Sequence, residues 1–352
     1  MMRLMTGIST CALLTACGDG QPFFEVDEGT VPDVQIELDG TENPEASNSI
    51  SRIEPGQVTE DGRLIANENG GGLVRSVSYD ADTDTYSIDN LAFDGDEQTP
   101  FTRSTVFPTL GGYPIFAAAI NVPDSVTSAP IDQIAPYIAI TGRSAVINPE
   151  GSDGEFEPRT TFAVVRTGGY ADFGFGGFVY ARNGDVILQT EGQAEFVGQY
   201  TGVRVSDPRG GLEYTTGDAK VAFDFDDFNL NTGVKGIVDN RQLFDEDGVE
   251  IPLFFGTDDL LKNLEFVVVQ GVDTLLPTGE MTGEVVSVRL NESGITAPYE
   301  IGNYYAILAG DLTTATDGGE LVGVIVVESE DPRFEGVTVQ ESGGFLLPRA
   351  QP

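Results

Sequence analysis

The most constraining feature of this 352-residue chain is a regular alternation of small and aromatic side chains between residues 194 and 202. Successive side chains of a β-strand point to opposite faces of the sheet. Side chains that alternate between small and large fill the tapering interior of a narrow barrel, and glycine allows the strand to coil. The face predicted to point inward consists of Ala194, Phe196, Gly198, Tyr200 and Gly202.

The same device recurs in the C-terminal half of the chain, where Tyr304, Ala306, Leu308 and Gly310 share one face. Glycine supplies 44 of the 352 residues, and short β-branched and aromatic runs recur between Gly, Asp and Asn turns, which is typical of all-β proteins. Eight or nine strands in one antiparallel unit predict a closed barrel, which has no exposed sheet edge. The candidate strands lie near 161–166, 172–181, 194–205, 218–225, 234–239, 263–270, 281–290, 303–311 and 320–328.

The outward faces of these strands are polar, which favours a soluble barrel over one that spans a membrane. A barrel in the outer membrane needs an apolar outer band and girdles of aromatic residues. This chain contains no Trp, and its outward positions include Glu195, Asp218, Lys220 and Asp224. We therefore predict an all-β chain with a soluble, eight-stranded antiparallel β-barrel.

The N-terminal segment has the pattern of a secretory signal. Arg3 is the only charged residue before position 19, an apolar stretch follows at 8–14, and the segment is too short to span a bilayer. The order Leu-Thr-Ala-Cys at 14–17 resembles the lipobox of bacterial lipoproteins, in which the cysteine is acylated and becomes the first mature residue. Residues 1–16 are thus predicted to be a lipoprotein signal peptide, and Cys17 the lipidation site that attaches the chain to a membrane.

The alternative for this segment is an ordinary signal peptide with a chance cysteine. Both cysteines of the chain, Cys11 and Cys17, lie here, so no disulfide framework explains Cys17. Gly18 leaves no Asp at the position linked to inner-membrane retention in the lipoproteins that this segment resembles. We therefore expect an outer-membrane anchor.

The remainder divides into three parts by composition. Residues 17–60 are acidic, contain Pro and Ser and show no sustained period, which predicts a flexible tether behind the acylated cysteine. Residues 61–158 predict a small β-rich domain, in which strands at 73–79 and 85–88 flank an acidic turn. Residues 159–352 hold the predicted barrel.

The formal net charge of −39 limits the possible partners. So much negative charge favours solubility and argues against nucleic acid or an anionic lipid surface as the partner. Apolar residues make up 40% of the chain, which is enough for a packed core.

Five segments follow one another in a recognisable order. They are YADFGFGGFVY at 170–180, FVGQYTG at 196–202, GDAKVAFDF at 217–225, VKG at 234–236 and GGELVGV at 318–324. Together they resemble the β-barrel domain of the transferrin-binding protein B family of surface lipoproteins. The resemblance covers residues 160–328, about half of the chain.

The resemblance implies an eight-stranded barrel beside an N-terminal handle, so that 61–158 is expected to be the β-rich handle domain. It also implies an outer-membrane location and a host or environmental macromolecule as the ligand. The chain has room for one handle-plus-barrel lobe, like the single-lobe relatives. None of the transferrin-contacting loops of the family is matched, so no ligand-binding residue carries over and the ligand stays unknown.

The residues that most often carry catalysis are scarce. Histidine is absent, which excludes Ser-His-Asp and Cys-His arrangements and the usual His-bearing zinc sites. Met281 is the one methionine that remains after cleavage, so haem ligation by His or Met is very limited. We therefore assign no catalytic, cofactor-binding or metal-binding residue.

Carboxylates remain, and a glycosidase needs only two of them. With 57 Asp and Glu residues, however, a pair arises easily by chance. Asp80, Asp82 and Asp84 begin like a calcium-binding EF-hand loop, but Thr85 stands where that loop needs Gly and Leu91 where it needs Glu. The segments interpreted as solvated turns or strand ends are 80–84, 224–228 and 245–248.

Tyr304 and Tyr305 point to opposite faces of one predicted strand, so one belongs to the core and the other is a candidate binding residue. We expect an outer-membrane-anchored surface lipoprotein that acts as a non-enzymatic binding module for a macromolecule or solute. Two alternatives stay open, namely an envelope structural or assembly lipoprotein that faces the periplasm and a carboxylate-based hydrolase.

Overall fold

The computed structural model describes most of the chain from residue 38 onward. Within the described ranges the regular structure is β-strand throughout, and no helix occurs there. The described residues are 38–54, 72–89, 91, 100–119, 121–123, 129–132, 136–148, 157–168, 173–226, 233–255, 258–267, 275–290, 294–314 and 318–350.

The strands are numbered in chain order. Those before residue 190 are β1 (Asp39–Gly40), β2 (Ile50–Ile53), β3 (Val77–Asp80), β4 (Thr85–Ile88), β5 (Thr102–Arg103), β6 (Thr109–Leu110), β7 (Tyr113–Ala117), β8 (Asn121–Pro123), β9 (Pro130–Asp132), β10 (Tyr137–Arg143), β11 (Ile147–Asn148), β12 (Glu157–Pro158), β13 (Thr160–Thr167), β14 (Gly176–Arg182) and β15 (Val186–Ile187). Those after it are β16 (Gln193–Asp207), β17 (Leu212–Asp224), β18 (Val234–Phe244), β19 (Glu250–Ile251), β20 (Phe254–Phe255), β21 (Asp258–Asp259), β22 (Leu264–Val267), β23 (Glu280–Leu290), β24 (Thr296–Asp311), β25 (Glu320–Glu330) and β26 (Thr338–Pro348).

Eight of these strands close into a barrel. Their order around the ring is β16-β17-β18-β22-β23-β24-β25-β26, and β26 pairs back onto β16. Every neighbouring pair in the ring is antiparallel. Because the ring is closed, it has no free edge strand. The predicted eight-stranded antiparallel barrel is confirmed.

Aromatic and small side chains fill the middle of the barrel. Phe196 and Tyr200 of β16 lie in its core together with Phe345 of β26. The ring of Tyr304 stacks on Phe266, with centroids 4.0 Å apart and planes 9° apart. The inward face predicted for β16 is therefore confirmed where it carries aromatic rings.

A second sheet, which we call the handle, lies against the outside of the barrel. Its strand order is β1-β2-β14-β13-β10-β7-β5, and β6 pairs with β7. One face of this sheet shares a core with the barrel, in which Phe162 and Phe178 pack with Val322 and Val324. The other face forms a separate core with the β3–β4 hairpin. The predicted hairpin with an acidic turn is confirmed.

Two strands that the sequence assigns to the barrel belong to the handle instead. β13 and β14 pair with each other, and their outer partners are β10 and β2. β13 is almost wholly buried because the barrel covers one face and the hairpin core covers the other. A strand covered on both faces reads as an apolar run, so its sequence does not distinguish a barrel strand from a handle strand.

Part of the predicted tether also belongs to the handle. β2 pairs with β14, and Ile50 is buried in the core between handle and barrel. The tether prediction for 17–60 is therefore wrong for residues 39–53, because one buried isoleucine and a run of ladder hydrogen bonds hold this short strand. Residues 17–37 and 55–60 lie outside the described residues.

The barrel strand that the sequence analysis missed is β26. Its centre is Glu341-Ser342-Gly343-Gly344, which has neither the apolar run nor the aromatic alternation of the other strands. A Cβ on Gly343 would overlap the Tyr200 ring inside the barrel, and one on Gly344 would overlap the Phe162 ring of the handle. Glycine is required at both positions because aromatic rings pack against this strand from both sides.

Candidate binding surface

A buried ionic network occupies the barrel interior close to one of its ends. Its centre is Glu341 of β26, which accepts hydrogen bonds from the hydroxyls of Tyr200 (2.8 Å) and Thr215 (2.9 Å). Arg241 donates to the other oxygen of Glu341 at 2.7 Å, and Arg204 approaches the same oxygen at 3.6 Å. The carboxylate is thus satisfied without water, although it lies in the interior.

Arg241 reaches this interior position through a β-bulge. The register between β17 and β18 shifts between Thr216 and Asp218, and Asn240 adopts a left-handed conformation with φ of 49°. A bulge adds one residue to a strand and re-aims the side chains that follow it. Val238 and Arg241 therefore both point inward, although strict alternation would put them on opposite faces.

Arg241 is held by a second carboxylate, Glu300 of β24. One guanidinium nitrogen lies 2.9 Å from each Glu300 oxygen, and Ser287 donates to the same carboxylate at 2.6 Å. Burial acts to lower the pKa of Arg241, but the charges of Glu300 and Glu341 outweigh it and raise that pKa above its ordinary value. The guanidinium is therefore a permanent positive charge inside the barrel.

The network continues to the mouth of the barrel through Glu213 and Arg333. Arg204 donates to Glu213 at 3.2 Å, and Arg333 lies 2.7 Å from the same carboxylate. Arg333 also pairs with Asp331 at 2.6 Å. Burial acts to raise the pKa of Asp331, but the hydrogen bonds from Arg333 outweigh it and lower that pKa. Removal of one partner of such a buried pair is strongly destabilising, because it leaves an uncompensated buried charge.

We call the adjoining end of the barrel the network end. Its described residues are the connections 208–211, 245–255, 258–263, 294–295 and 331–337 and the adjoining strand end at Leu290, all next to the network. Besides Phe334, which is 37% exposed, four large apolar side chains at this end are exposed at fractions between 61% and 68%. They are Val249, Phe254, Leu290 and Ile295.

The connections of the network end are tied to one another and to the handle. The hydroxyl of Tyr299 donates to the backbone oxygens of Leu260 and Glu330, each at 3.3 Å. Phe107 of the handle packs edge-on against Tyr214 and Phe244, with centroids 5.3 and 5.5 Å away. Strand ends next to the exposed apolar side chains are therefore tied to each other and to the handle.

The opposite end of the barrel holds a recess of about 640 Å³. Its lining includes the apolar residues Ala194, Phe223 and Leu312. Of its charged lining groups, Glu195 pairs with Lys220, and Arg349 donates to the Leu312 carbonyl at 2.6 Å. Among the described residues, Glu195 and Arg349 of this recess therefore have partners within the fold.

The acidic segments that the sequence singles out have structural contacts. Asp84 accepts hydrogen bonds from Tyr79 and Arg103, and Asp245 accepts the backbone N–H groups of Asp247 and Val249. Both segments are turns, as predicted. Asp224 is partly exposed next to the buried Phe225, which agrees with a strand end. Residues 227 and 228 lie outside the described residues.

Tyr305 is not available to a ligand, so its prediction as a candidate binding residue is wrong. Tyr304 is 1% exposed and lies in the barrel core, whereas Tyr305 is 5% exposed and lies in the core shared with the handle. The handle covers the outer face of β24, which the sequence of one strand cannot indicate. Met281 lies in the barrel core.

Cys17 and the predicted signal peptide lie outside the described residues. Within the described ranges, no group of three or more His, Cys, Asp and Glu side chains is arranged to hold a metal ion. In the same part of the chain, no helix has the length and apolar character needed to cross a bilayer. The exposed residues Val249, Phe254, Leu290 and Ile295 were not identified from the sequence. Their signal is a large apolar residue inside or next to a turn.

No family model matches the chain, and no curated protein matches it. Among solved structures, it is similar to a double mutant of the vaccine antigen transferrin-binding protein B from Haemophilus parasuis Hp5. The identity is 9%, the match covers 87% of this chain and 52% of that chain, and the TM-score is 0.35. The chain thus spans about half the length of that protein.

The chain is also similar to the haemoglobin receptor HpuA from Kingella denitrificans. The identity to the apo structure is 11%, with 89% of this chain and 90% of that chain covered and a TM-score of 0.30. The same receptor in complex with human haemoglobin gives 9% identity and a TM-score of 0.27. Transferrin-binding protein B belongs to the family that the sequence motifs resemble. The closed barrel itself is established by the strand pairings of this chain.

Proposed function

We propose that this chain is a non-enzymatic binding module, held at the outer membrane by a lipid on Cys17, which binds a macromolecule through the network end of its barrel. The observation that carries the proposal is the exposure of Val249, Phe254, Leu290 and Ile295 on one fixed surface. Large apolar side chains that the fold leaves in water at one end of a barrel suit an interaction site.

The interior of the barrel favours a macromolecule over a small solute. Aromatic rings and the ionic network fill it, with Tyr200, Phe345 and Arg241 all buried. At the network end a ligand therefore has to be bound on the outside, and loops on a rigid scaffold are suited to that role. The network supports the surface because it fixes the strand ends from which the connections leave.

The charge around the apolar side chains favours a protein partner with a basic rim. Asp245, Glu246, Asp247 and Glu250 surround Val249 in the sequence, and three of these four are exposed. Complementary charge steers association and suppresses wrong partners. The net charge of −39 acts in the same direction over longer distances.

The lipid anchor is tested through Cys17. We expect mass spectrometry of the protein purified from membranes to find an acylated N-terminal peptide that begins at Cys17. Cys17→Ala should release the chain into the soluble fraction, because several acyl chains are required for a stable attachment. An unmodified N-terminus at another residue would contradict this part of the proposal.

Display on the cell surface is tested by thiol labelling. The chain has no cysteine after Cys17, so Phe254→Cys introduces one free thiol on the network end once Cys17 is acylated. A membrane-impermeant maleimide should label this variant in intact cells to the same extent as in lysed cells. Labelling only after lysis would favour the periplasm-facing alternative.

A further inference from the structure

A second recess, which shares no lining residue with the ionic network, lies where the β3–β4 hairpin meets the handle sheet. Its volume is about 280 Å³. Side chains from the hairpin, from β7 and from β10 line it, and Leu346 of the barrel closes one side. The residues that matter here are Tyr79, Tyr86, Arg103, Phe116, Thr141 and Arg143.

Three aromatic rings form one wall of this recess. The ring centroids of Tyr79 and Tyr86 are 5.0 Å apart, and those of Tyr86 and Phe116 are 4.7 Å apart. Tyr86 and Phe116 are buried, whereas Tyr79 is half-buried. The wall is therefore rigid at its base and offers one partly open ring.

Two arginines stack on this wall, although the chain has only 18 basic residues against 57 acidic ones. The guanidinium carbon of Arg103 lies 4.5 Å from the Phe116 centroid, and that of Arg143 lies 4.6 Å from the Tyr79 centroid. Stacking on a ring holds a guanidinium in place and leaves its N–H groups free to donate in the plane.

The two arginines differ in their partners. Arg103 makes a two-point pair with Asp84, at 2.8 and 3.0 Å, and this pair holds the pKa of Asp84 below its usual range. Arg143 is exposed and stacks on the Tyr79 ring. Within the described part of the chain it forms no ion pair with a carboxylate. The recess therefore has one neutralised cation and one that has no carboxylate partner.

Two hydroxyl groups lie beside Arg143. The Thr141 hydroxyl is buried, lines the recess and forms no hydrogen bond of normal geometry among the described residues. Thr141 and Arg143 lie two residues apart on β10, so their side chains are on the same face of the strand. Burial raises the pKa of Tyr86, and the Thr141 hydroxyl acts in the opposite direction. A buried hydroxyl without a partner is uncommon, because buried polar groups are normally satisfied.

We propose that this recess binds the carboxylate of a small organic acid with a flat apolar body. The Arg143 guanidinium and the Thr141 hydroxyl donate to the carboxylate, and the body lies against the part of the Tyr79 ring that Arg143 leaves uncovered. The recess has a net charge of +1 from Arg103, Arg143 and Asp84, within a chain of net charge −39. This balance favours a monoanion over a phosphate dianion. The site is separate from the network end and does not depend on the function proposed for it.

The probe is 4-fluorobenzoate, titrated into the detergent-solubilised full-length protein and followed by ¹⁹F NMR. The neutral isostere 4-fluorobenzamide serves as the matched ligand control. We expect the acid to bind at least about tenfold more tightly than the amide, since hydrogen bonds to a charged acceptor are the stronger ones. Equal affinity for the two ligands, or no binding of the acid, would overturn the proposal.

The protein variants separate a binding role from a structural one. Arg143→Met keeps a side chain on the Tyr79 ring and should weaken acid binding about tenfold or more. Thr141→Val should weaken it severalfold with little change in the melting temperature, because the hydroxyl forms no hydrogen bond of normal geometry among the described residues. Arg209→Met removes another ring-stacked arginine, over Phe334, and should leave acid binding unchanged. Unchanged binding in both recess variants would overturn the proposal.

Discussion

The Tyr305 ring of the barrel stacks on the Phe178 ring of the handle, with centroids 5.5 Å apart and planes 27° apart. Both side chains are buried in the core that joins the two sheets. Removal of a buried aromatic side chain usually costs about 3–5 kcal/mol of stability. Tyr305→Ala should therefore lower the free energy of unfolding by about this amount, as measured by urea denaturation.

The matched control for this variant is Ile301→Ala, four residues earlier on β24. Ile301 faces the same side of the strand but is 55% exposed, so the change should stay within about 0.5 kcal/mol. A loss of equal size in the two variants would show that the handle does not cover the barrel at Tyr305.

The second prediction concerns the buried network. Glu341 is the carboxylate that Arg204 and Arg241 share. Glu341→Gln keeps the size of the side chain but removes the negative charge that faces two buried guanidinium groups. The free energy of unfolding should therefore fall by about 3 kcal/mol. Thermal or urea denaturation measures this loss. Glu328→Gln, at an exposed position on the neighbouring strand, should change stability by less than about 0.5 kcal/mol.

The third prediction concerns alkaline pH. Burial raises the pKa of Tyr305 from 10.0 to about 12, and the charge of Glu54 acts in the same direction. Burial raises the pKa of Tyr214 to about 12 as well. A pKa that is higher in the folded state contributes stability below the unfolded value, and this stability is lost as the pH rises through the folded value.

The free energy of unfolding should therefore fall between about pH 10 and pH 12. In Tyr305→Phe the fall should be smaller, because one of the raised phenols is gone. Absorbance at 295 nm follows ionisation of the phenols directly. Ionisation of all 11 tyrosines near pH 10 in protein that stays folded would contradict the burial of these rings.

The barrel could be predicted because its signal is local. The alternation in β16 and β24 predicts which side chains point inward, and in the structure these side chains lie in the barrel core. Membership of a sheet is not local. β13 and β14 carry apolar runs like those of barrel strands, and only their pairing with β10 and β2 puts them in the handle.

The binding surface could be predicted less well than the fold. Arg241 points inward only because a bulge at Asn240 interrupts the alternation of β18, and a bulge has little signature in sequence. From the sequence alone Glu341 is expected to be solvated, and only the closure of the ring of strands buries it. Phe254 and Leu290 look like core residues, since their exposure depends on how whole connections run across the barrel end.

The fourth prediction separates the network end from the rest of the fold. Phe254→Ser and Leu290→Ser together should leave the melting temperature nearly unchanged, because both side chains are exposed by about two thirds. Cells with this double variant should nevertheless lose most binding of the macromolecule that wild-type cells take up from their natural medium. Ile187→Ser at the opposite end, where 48% of the side chain is exposed, is the control and should bind normally.

The most direct test of the central claim is site-specific photo-crosslinking on intact cells in that medium. A photoreactive residue at position 254 should give one discrete adduct of higher mass, and the same residue at position 187 should give none. Loss of the adduct in the Leu290→Ser background would link the contact to the apolar surface. The absence of an adduct at 254, or the same adduct at both positions, would contradict a binding surface at the network end.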